Sequence, residues 1–481
     1  MKKIILFLIA LSFITTSCDD LLNVQPKTSW SGLNFPTEET HISGLLYGGY
    51  ERLQSTLAIN FLLYGEARAD VFNVNNFNTN VDKIINNKLD YGMALSSWSN
   101  FYQVIKQANL VIKFTPEILE NKKMTEARAN ELMGEAYCMR ALSYFYIIRI
   151  WGDAPLVKEP VLAKNDIENL YRDPVDSILV SIHQDLQNAA TLIPTANNSR
   201  TQFTRAAAYA IDAHVYAWEH NYAKVIEKTD LILKNNEYAL APLYDASYDV
   251  SASDFVATVQ GSPFAQIFNL GKTKESIFEL AFSVEDGDDS RGLSSYLSSS
   301  FPFMRPKDEY GATFEELDWR SIVSNRIAST GAFTAIKFTI GFNMTADARN
   351  IVLYRLGDMY LLKAEAIANT GDTDEDRNNS MKLVNDIRRR AGGVAFEIPD
   401  SIYLDRDIYA HEDIKDLILE ERKFELCYEG HRWFDLIRSG KVIQIMKDRA
   451  NIDIVPGALV WPIYIEEIRR SSNIEQNEYY K

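Results

Sequence analysis

The segment from Glu420 to Arg438 concentrates charged side chains among bulky aromatic ones. Within it, Glu425, Glu429 and Arg432 are spaced so that a continuous helix would place them on one face. Paired carboxylates of this kind can act as acid and base in glycoside hydrolysis, at separations of about 5–9.5 Å. The segment offers no nucleophile or metal ligands beside them, and its aromatic residues predict a buried helix whose charges must be paired. We therefore predict an ion network that stabilises the fold, and not a catalytic pair.

Aromatic rings and side-chain amides form a second group of candidates, of the kind that binds sugars. Aromatic faces pack against the C–H surface of a pyranose, and amide or carboxylate groups bond with its hydroxyls. An asparagine-rich stretch, residues 70–80, and serine-rich loops later in the chain supply such groups. We predict that the ligand contacts come from Asp70, Asn73, Asn75, Phe77, Asn78, Trp98, Tyr296, Phe301 and Trp319. The alternative for each is a packing aromatic or a turn-forming asparagine, and Trp98, four residues from Tyr102, could belong to a helix core.

Two acidic runs invite a calcium-binding interpretation. The first has oxygen-bearing side chains at alternate positions, as EF-hand loops do: Asp372, Asp374, Asp376 and Asn378. Arg377 stands where such a loop requires glycine, and Leu383 stands where it requires glutamate. The second run, Glu285–Asp289, has no recognisable ligand spacing. We predict solvated turns for both, no metal site and no cofactor.

The N-terminal residues have the pattern of an export signal. Two lysines precede an apolar run, Ile4–Ile14, which leads to Thr15-Thr16-Ser17-Cys18. The run is shorter than the roughly 20 residues that span a bilayer, and its length suits a signal peptide. Small residues directly before Cys18 are typical of a lipoprotein signal, although Thr15 stands where leucine is usual. We predict removal of residues 1–17 and acylation of Cys18 with chains such as palmitate; the alternative is an ordinary signal peptide with a chance cysteine.

The composition excludes some functions and favours a helical fold. The chain has 481 residues, 46% of them hydrophobic, which is typical of a globular protein. Its 66 acidic and 50 basic residues give a net charge of −16, which argues against nucleic-acid binding because phosphate contacts need clustered Lys and Arg. Only 22 glycines are present, which favours helices. Cys138 and Cys427 lie in apolar periodic segments and are predicted to be buried.

Small and apolar residues recur with helical spacing along most of the chain. Two helix pairs are predicted, one from Thr204 to Leu233 with a break at Asn221, and one from Leu353 to Ala391 with a turn near Gly371. Alanines at the crossing of the first pair allow a close approach of the backbones, as in tetratricopeptide-like pairs. Further helices are predicted over Glu39–Ser55, Ser96–Glu120, Glu126–Trp151, Pro174–Leu192 and Glu412–Arg438.

Residues 236–350 differ from the rest of the chain. Serine, aspartate, glycine and aromatic residues dominate there, and the apolar runs are short, at Ile277–Phe282 and Phe333–Ile340. We predict a loop-rich insertion with a few short strands, carried by a helical scaffold of residues 18–235 and 351–481. Loops on a rigid frame commonly carry binding groups.

Three stretches resemble the SusD/RagB family of nutrient-binding outer-membrane lipoproteins. The strongest is Glu420–Arg438, which is similar to that family's C-terminal signature almost residue by residue. The second runs from Arg140 to Leu156, and the third comprises Trp461-Pro462-Ile463 with Gln476-Asn477. The start of the mature chain at Cys18-Asp19-Asp20 is also similar. The resemblance spans nearly the whole mature chain.

The resemblance implies a mainly α, SusD-like single domain over residues 18–481. Four tetratricopeptide-like units would support the irregular, ligand-binding insertion. It further implies a lipid-anchored protein on the surface of a bacterial outer membrane, which captures oligosaccharides (peptides in some members) and delivers them to a SusC-like TonB-dependent transporter. It implies no catalysis. Family members commonly build their site from the asparagine-rich loop and the insertion, but the motifs do not fix the residues.

Two other functions are compatible with the residues. A peptide- or protein-binding scaffold is the first alternative, because tetratricopeptide-like units commonly bind proteins. A surface hydrolase is the second, because carboxylates are plentiful, although none lies in a recognisable catalytic motif.

Overall fold

The structure, a computed structural model, describes residues 36–161, 170–282, 291–298, 301–327, 331–338 and 349–481. The predicted signal peptide, Cys18 and the acidic run Glu285–Asp289 lie outside these residues. All the predicted ligand-contacting residues lie within them.

Helices make up most of the described chain. In order they are α1 (Glu39–Leu57), α2 (Asn60–Gly65), α3 (Thr79–Ile85), α4 (Ser99–Glu120), α5 (Glu126–Trp151), α6 (Val175–Leu192), α7 (Arg205–Trp218), α8 (Tyr222–Leu233), α9 (Phe255–Gln260), α10 (Pro263–Asn269), α11 (Arg291–Leu297), α12 (Asp308–Gly311), α13 (Arg320–Ser324), α14 (Leu356–Thr370), α15 (Asp374–Gly392), α16 (Asp400–Tyr403), α17 (His411–Glu425), α18 (Arg432–Arg438), α19 (Val442–Ala450) and α20 (Ile465–Arg470). Short 3-10 helices cover Ala94–Ser96, Val394–Phe396, Pro456–Ala458 and Glu478–Tyr480.

The long helices pack in the order in which the chain forms them. Helix α1 lies against α4, α4 against α5, α5 against α6, α6 against α7 and α7 against α8. Helix α8 then packs against α14, which also contacts α15 and α17. The contact of α7 with its neighbours is close because its inward positions are small, with buried Ala207, Ala210, Ala213 and Ala217. Such neighbour-to-neighbour packing confirms the predicted mainly α class with tetratricopeptide-like helix pairs.

Helix α5 shows how local sequence sets an element that passes through the core. The Thr125 hydroxyl accepts a hydrogen bond from the Arg128 N–H (3.2 Å) and caps the first turn. At the other end Gly152 has a φ of 77°, which favours glycine and turns the chain out of the helix. The next residue, Asp153, accepts a hydrogen bond from the Val175 N–H (2.9 Å) at the start of α6. The predicted bounds of this helix are confirmed.

The strands of the described residues form three antiparallel pairs that join distant parts of the chain. They pair β1 (Phe72–Val74) with β3 (Met304–Pro306), β2 (Ser276–Leu280) with β6 (Ile351–Arg355), and β4 (Asn325–Ile327) with β5 (Phe333–Ala335). Of the two short apolar runs, Ile277–Phe282 overlaps β2 and Phe333–Ile340 contains β5. All residues of β2 and β6 are buried, so this pair ties the segment that follows α8 into the core.

The predicted helix Glu412–Arg438 is wrong in one respect, because the chain leaves the helix at Glu425 and re-enters one at Arg432. Between them Tyr428 and Gly430 have φ values of 65° and 78°, which no α-helix contains. Glu425, Glu429 and Arg432 therefore do not share one helix face.

Both predicted buried cysteines, Cys138 and Cys427, are free thiols inside the fold. Among the residues that the structure describes, no helix has the length and apolar character needed to cross a membrane.

Candidate functional site

Two segments more than 200 residues apart in the chain meet at one surface. Strands β1 and β3 pair so that Phe72 lies opposite Pro306, Asn73 opposite Arg305 and Val74 opposite Met304. The pairing continues beyond the strands, since the Asn75 N–H donates to the Phe303 carbonyl (2.9 Å). The asparagine-rich loop and the loop around Phe301 are therefore held side by side by main-chain bonds.

Asparagine side chains hold these two loops in shape. Asn75 Nδ2 donates to the Pro302 carbonyl (2.8 Å), and Asn76 Nδ2 donates to the Phe301 carbonyl (3.5 Å). Asn78 Oδ1 accepts the N–H groups of Asn80 and Val81 at 3.1 Å each and caps α3. Some of these asparagines therefore stabilise the loops themselves, which is the alternative role, that of turn-forming residues, considered for them from the sequence.

Two phenyl rings on these loops point into solvent. The side chain of Phe77 is 78% exposed and that of Phe301 is 77% exposed, although both belong to a residue type that is usually inside. Tyr296 lies half-buried on α11 and packs against the second of these loops, with its ring 5.2 Å from that of Phe303 in an edge-to-face contact. We call the surface formed by Asn73, Asn75, Phe77, Asn78, Tyr296 and Phe301 the platform. Exposed rings beside amides are suited to packing on a sugar ring and bonding with its hydroxyls.

Asp70 lies inside the fold and not on the platform. It is 4% exposed, and its carboxylate accepts hydrogen bonds from Nε (2.9 Å) and Nη2 (3.0 Å) of Arg432. Burial alone would raise the pKa of Asp70, but the Arg432 guanidinium outweighs burial and lowers the pKa to about 2. Asp70 is therefore ionised and bound to Arg432 of the C-terminal segment, and it is not one of the ligand-contacting residues of the platform.

Trp98 and Trp319 are also interior residues. Trp98 is 3% exposed and packs edge-on against Tyr102 and Trp151, at ring distances of 6.0 and 6.2 Å. It lines the wall of an apolar cavity of about 380 Å³ at the start of α4, away from the exposed rings. Trp319 is 8% exposed and its ring is surrounded by those of Tyr244, Tyr248 and Phe255. Trp319 is corrected to a packing residue, because neighbouring rings surround it. Trp98 stays a prediction, because it packs edge-on against two rings and also lines this cavity.

The charged residues of the C-terminal signature form the predicted ion network. Arg355 pairs with Glu275 (2.7 Å), Glu425 (2.5 Å) and Glu429 (2.7 Å), and all four side chains are buried. Burial alone would raise the pKa of Glu425 and Glu429, but neighbouring cations lower both values: arginines around Glu425, and Arg355 with Lys337 beside Glu429. Carboxylates that stay ionised, are fully bridged and are shielded from solvent are poorly suited to exchange protons with a substrate.

Sequence reasoning missed a histidine cluster whose members are far apart in the chain. The possible ligand atoms of His214, Asp358 and His431 lie within 4.8 Å of one another. However, His214 Nε2 already bonds to Asp358 (2.6 Å), and Arg422 bonds to the other carboxylate oxygen (2.9 Å). Burial lowers the pKa of His431 to about 4, so its ring is neutral near pH 7. The cation on Arg422 opposes a divalent ion at this place, and we interpret the cluster as part of the ion network.

Comparisons with known proteins agree with this fold. Residues 324–480 match the model of the SusD family, and residues 22–217 match a model described as starch-binding associating with outer membrane. The SusD-like protein P38 of Formosa agariphila is 26% identical, with 99% of this chain and 98% of that protein covered. A SusD-like protein of Bacteroides ovatus is 24% identical over 71% of this chain and 64% of its own length.

Solved structures show the same architecture. A SusD superfamily protein from Bacteroides thetaiotaomicron has a TM-score of 0.75 at 22% identity, covering 92% of this chain and 99% of its own. NanU of B. fragilis has a TM-score of 0.75 at 22% identity, covering 95% and 100%. A laminarin-binding SusD-like protein has a TM-score of 0.71 at 19% identity, covering 92% and 100%. Two SusD-type family models thus match this chain over residues 22–217 and 324–480, and the predicted resemblance to the SusD/RagB family is confirmed.

Proposed function

We propose that the protein captures oligosaccharides on its platform without cleaving them. The observation that carries this proposal is the exposure of Phe77 (78%) and Phe301 (77%) on two loops that main-chain hydrogen bonds hold together. Rings that contribute so little to the core are free to pack on a sugar, and a preformed pair of loops loses little entropy when the ligand binds.

The family comparisons support a sugar ligand. One matching model carries the description starch-binding, and one solved neighbour binds laminarin, a glucan. The absence of catalysis is supported by the signature carboxylates, which are bridged by arginines inside the fold. The platform itself carries asparagines and aromatic rings, which bind sugars but do not transfer protons at neutral pH.

The test is the double substitution Phe77→Ala with Phe301→Ala. Each ring should contribute about 0.5–1.5 kcal/mol beyond its buried area, so we expect the pair to weaken binding by about 10-fold or more. Retention of the protein lacking residues 1–17 in affinity electrophoresis through a panel of polysaccharides identifies a bound polymer. Calorimetry with oligosaccharides of that polymer then gives the affinity of each variant, and chromatography of the incubated sugar checks for cleavage.

The matched control is Tyr171→Ala, which removes an aromatic side chain that is 62% exposed. It adjoins Arg172, which bonds to Asn477 of the C-terminal tail and not to the platform. The control should bind as the wild type does. Unchanged affinity of the double variant for the polysaccharide would contradict the platform as the binding site. No retention by any polysaccharide would favour the alternative scaffold, in which a peptide or protein lies along the helix pairs. Shortened sugar products would contradict the non-catalytic role.

We further propose that acyl chains on Cys18 hold the protein at the outer surface of the outer membrane, where it delivers its ligand to a SusC-like TonB-dependent transporter. The sequence of residues 1–18 and the family description, which names the outer membrane, support this. Palmitate labelling in cells should mark the wild type and not Cys18→Ala. Affinity purification from solubilised membranes should yield a TonB-dependent transporter, and protease added to whole cells should digest the protein. A wild type that takes up no palmitate label would contradict acylation of Cys18. Purification without a TonB-dependent transporter would contradict delivery to one.

A further inference from the structure

We propose that the captured glycan carries an acidic group, a carboxylate or a sulfate ester, and that Arg305 binds it at the edge of the platform. This inference rests on the proposed function of that surface. It adds a charged contact to the aromatic and amide contacts, and it names the chemical class of the sugar.

Arg305 shares a face with Asn73. Residues directly opposite each other in an antiparallel pair project to the same side of the ladder, and Arg305 of β3 lies opposite Asn73 of β1. Asn73 is exposed, whereas Met304 and Pro306 on either side of Arg305 are buried. The guanidinium therefore lies on the solvent side of the ladder, four residues along the chain from Phe301.

The guanidinium of Arg305 has no partner in the part of the chain that the structure describes. The side chain of Arg305 is half-buried, and its Nε is buried and makes no hydrogen bond. The fully buried Arg355 differs, since it contacts three carboxylates. An unsatisfied buried donor costs about 1–3 kcal/mol, and a ligand anion would remove that cost.

Arg305 is the one charged residue of the paired strands β1 and β3. The acidic residues next to these segments in the sequence are Asp70, Asp82, Asp308 and Glu309, and Asp70 is bridged by Arg432 inside the fold. A cation without a carboxylate on its own strands attracts an anionic sugar. The planar guanidinium also matches the two oxygens of a carboxylate or sulfate.

The experiment compares polymers that differ only in their acidic groups. The probes are polygalacturonate with its methyl ester, and carrageenan with its desulfated form, so that the two pairs distinguish carboxylate from sulfate. We expect the wild type to be retained more strongly by the acidic member of at least one pair. On that polymer Arg305→Gln should bind about 10–100-fold more weakly, and the difference should shrink when sodium chloride is raised.

Arg406→Gln is the control, because it removes the same charge from an exposed loop whose partner is Asp374. It should bind as the wild type does. Arg305→Gln should also keep or raise the wild-type melting temperature, since its buried Nε–H has no hydrogen-bond partner among the described residues. A lowered melting temperature with unchanged binding would overturn the inference, because it would show that the group has a partner within the fold. Equal retention by neutral and acidic polymers would overturn the inference alone, whereas no retention by any polysaccharide would contradict the proposed function as well.

Discussion

Asp70 and Phe77 belong to one loop region and have opposite roles. Both were candidates because a carboxylate and an aromatic ring can each contact a sugar. Asp70 turns inward to Arg432, which lies 362 residues later in the chain, while the side chain of Phe77 is exposed to solvent. The sequence supplies the residue types, but a partner so distant leaves no local signal by which the two roles could be separated. The same reason applies to Trp319, whose neighbours come from loops that sequence patterns do not place.

The substitution Asp70→Asn should destabilise the protein by about 3–5 kcal/mol without changing the affinity for a platform ligand. It removes the charge that compensates a buried guanidinium, so that Arg432 keeps a longer ion pair with Glu420 (3.3 Å) and a hydrogen bond to the Leu419 carbonyl (3.4 Å). Urea unfolding at pH 7 measures the free energy, and calorimetry at a temperature where the variant is folded measures affinity. Asp453→Asn, at a carboxylate whose side chain is 90% exposed, should change neither quantity. A variant at position 70 that is fully stable, or folded but unable to bind, would contradict this assignment.

At the scale of elements, the turn between α17 and α18 is built around the carboxylate of Glu66. Glu66 accepts the N–H groups of Tyr428 (3.0 Å) and Gly430 (3.1 Å), and so fixes the chain outside the helical conformation. Backbones also meet directly there, because a Cβ on Gly430 would lie 2.6 Å from the Phe61 carbonyl oxygen. The signature segment thus joins α2 to the scaffold.

Two glycine substitutions separate the contribution of this contact from that of backbone conformation. Gly430 and Gly440 have similar φ values, 78° and 72°, but a Cβ at Gly440 would meet nothing within 4 Å. Gly440→Ala should therefore cost only the left-handed conformation, about 1 kcal/mol. Gly430→Ala adds the overlap with Phe61 and should cost at least about 2 kcal/mol more. Urea unfolding of both variants gives the comparison, and equal losses would show that the contact with α2 carries no stability.

Helix prediction succeeded where the determinants are local and failed where they are not. Helix α5 is predicted to the residue because its cap, its apolar face and Gly152 all lie within the segment. The break after Glu425 was missed because the side chain that stabilises it, Glu66, lies about 360 residues earlier in the chain. The residues between Glu425 and Arg432 have helical spacing, so the sequence there does not reveal the break. The platform was predicted only as two separate loops, since the pairing of β1 with β3 is a long-range contact.

At the scale of the whole molecule, individual buried carboxylates have opposite dependence on pH. Asp70 and Glu429, which are bridged by arginines, have lowered pKa values, so they stabilise the fold above the pKa of the unfolded chain and cease to do so as the pH falls. Glu135 has the opposite dependence. It is 1% exposed, its hydrogen-bond partner is the hydroxyl of Tyr50 (2.5 Å), and burial raises its pKa to about 7.

Because the pKa of Glu135 is about 7 in the fold and near 4.5 when unfolded, the folded state holds the extra proton between these values. Its contribution to stability therefore declines as the pH rises from 4.5 to 7, in total by about 3 kcal/mol. In Glu135→Gln the side chain does not titrate, and its amide oxygen can still accept the hydrogen bond that the Tyr50 hydroxyl donates. The free energy of unfolding of the variant relative to the wild type should thus rise by about 2–3 kcal/mol between pH 5 and pH 8, as measured by urea unfolding across that range.

Glu429→Gln should instead differ from the wild type by a constant amount over the same range, because the lowered pKa of Glu429 keeps it ionised throughout. Parallel curves for Glu135→Gln and the wild type would mean that Glu135 is ionised in the fold and must have a cation beside it.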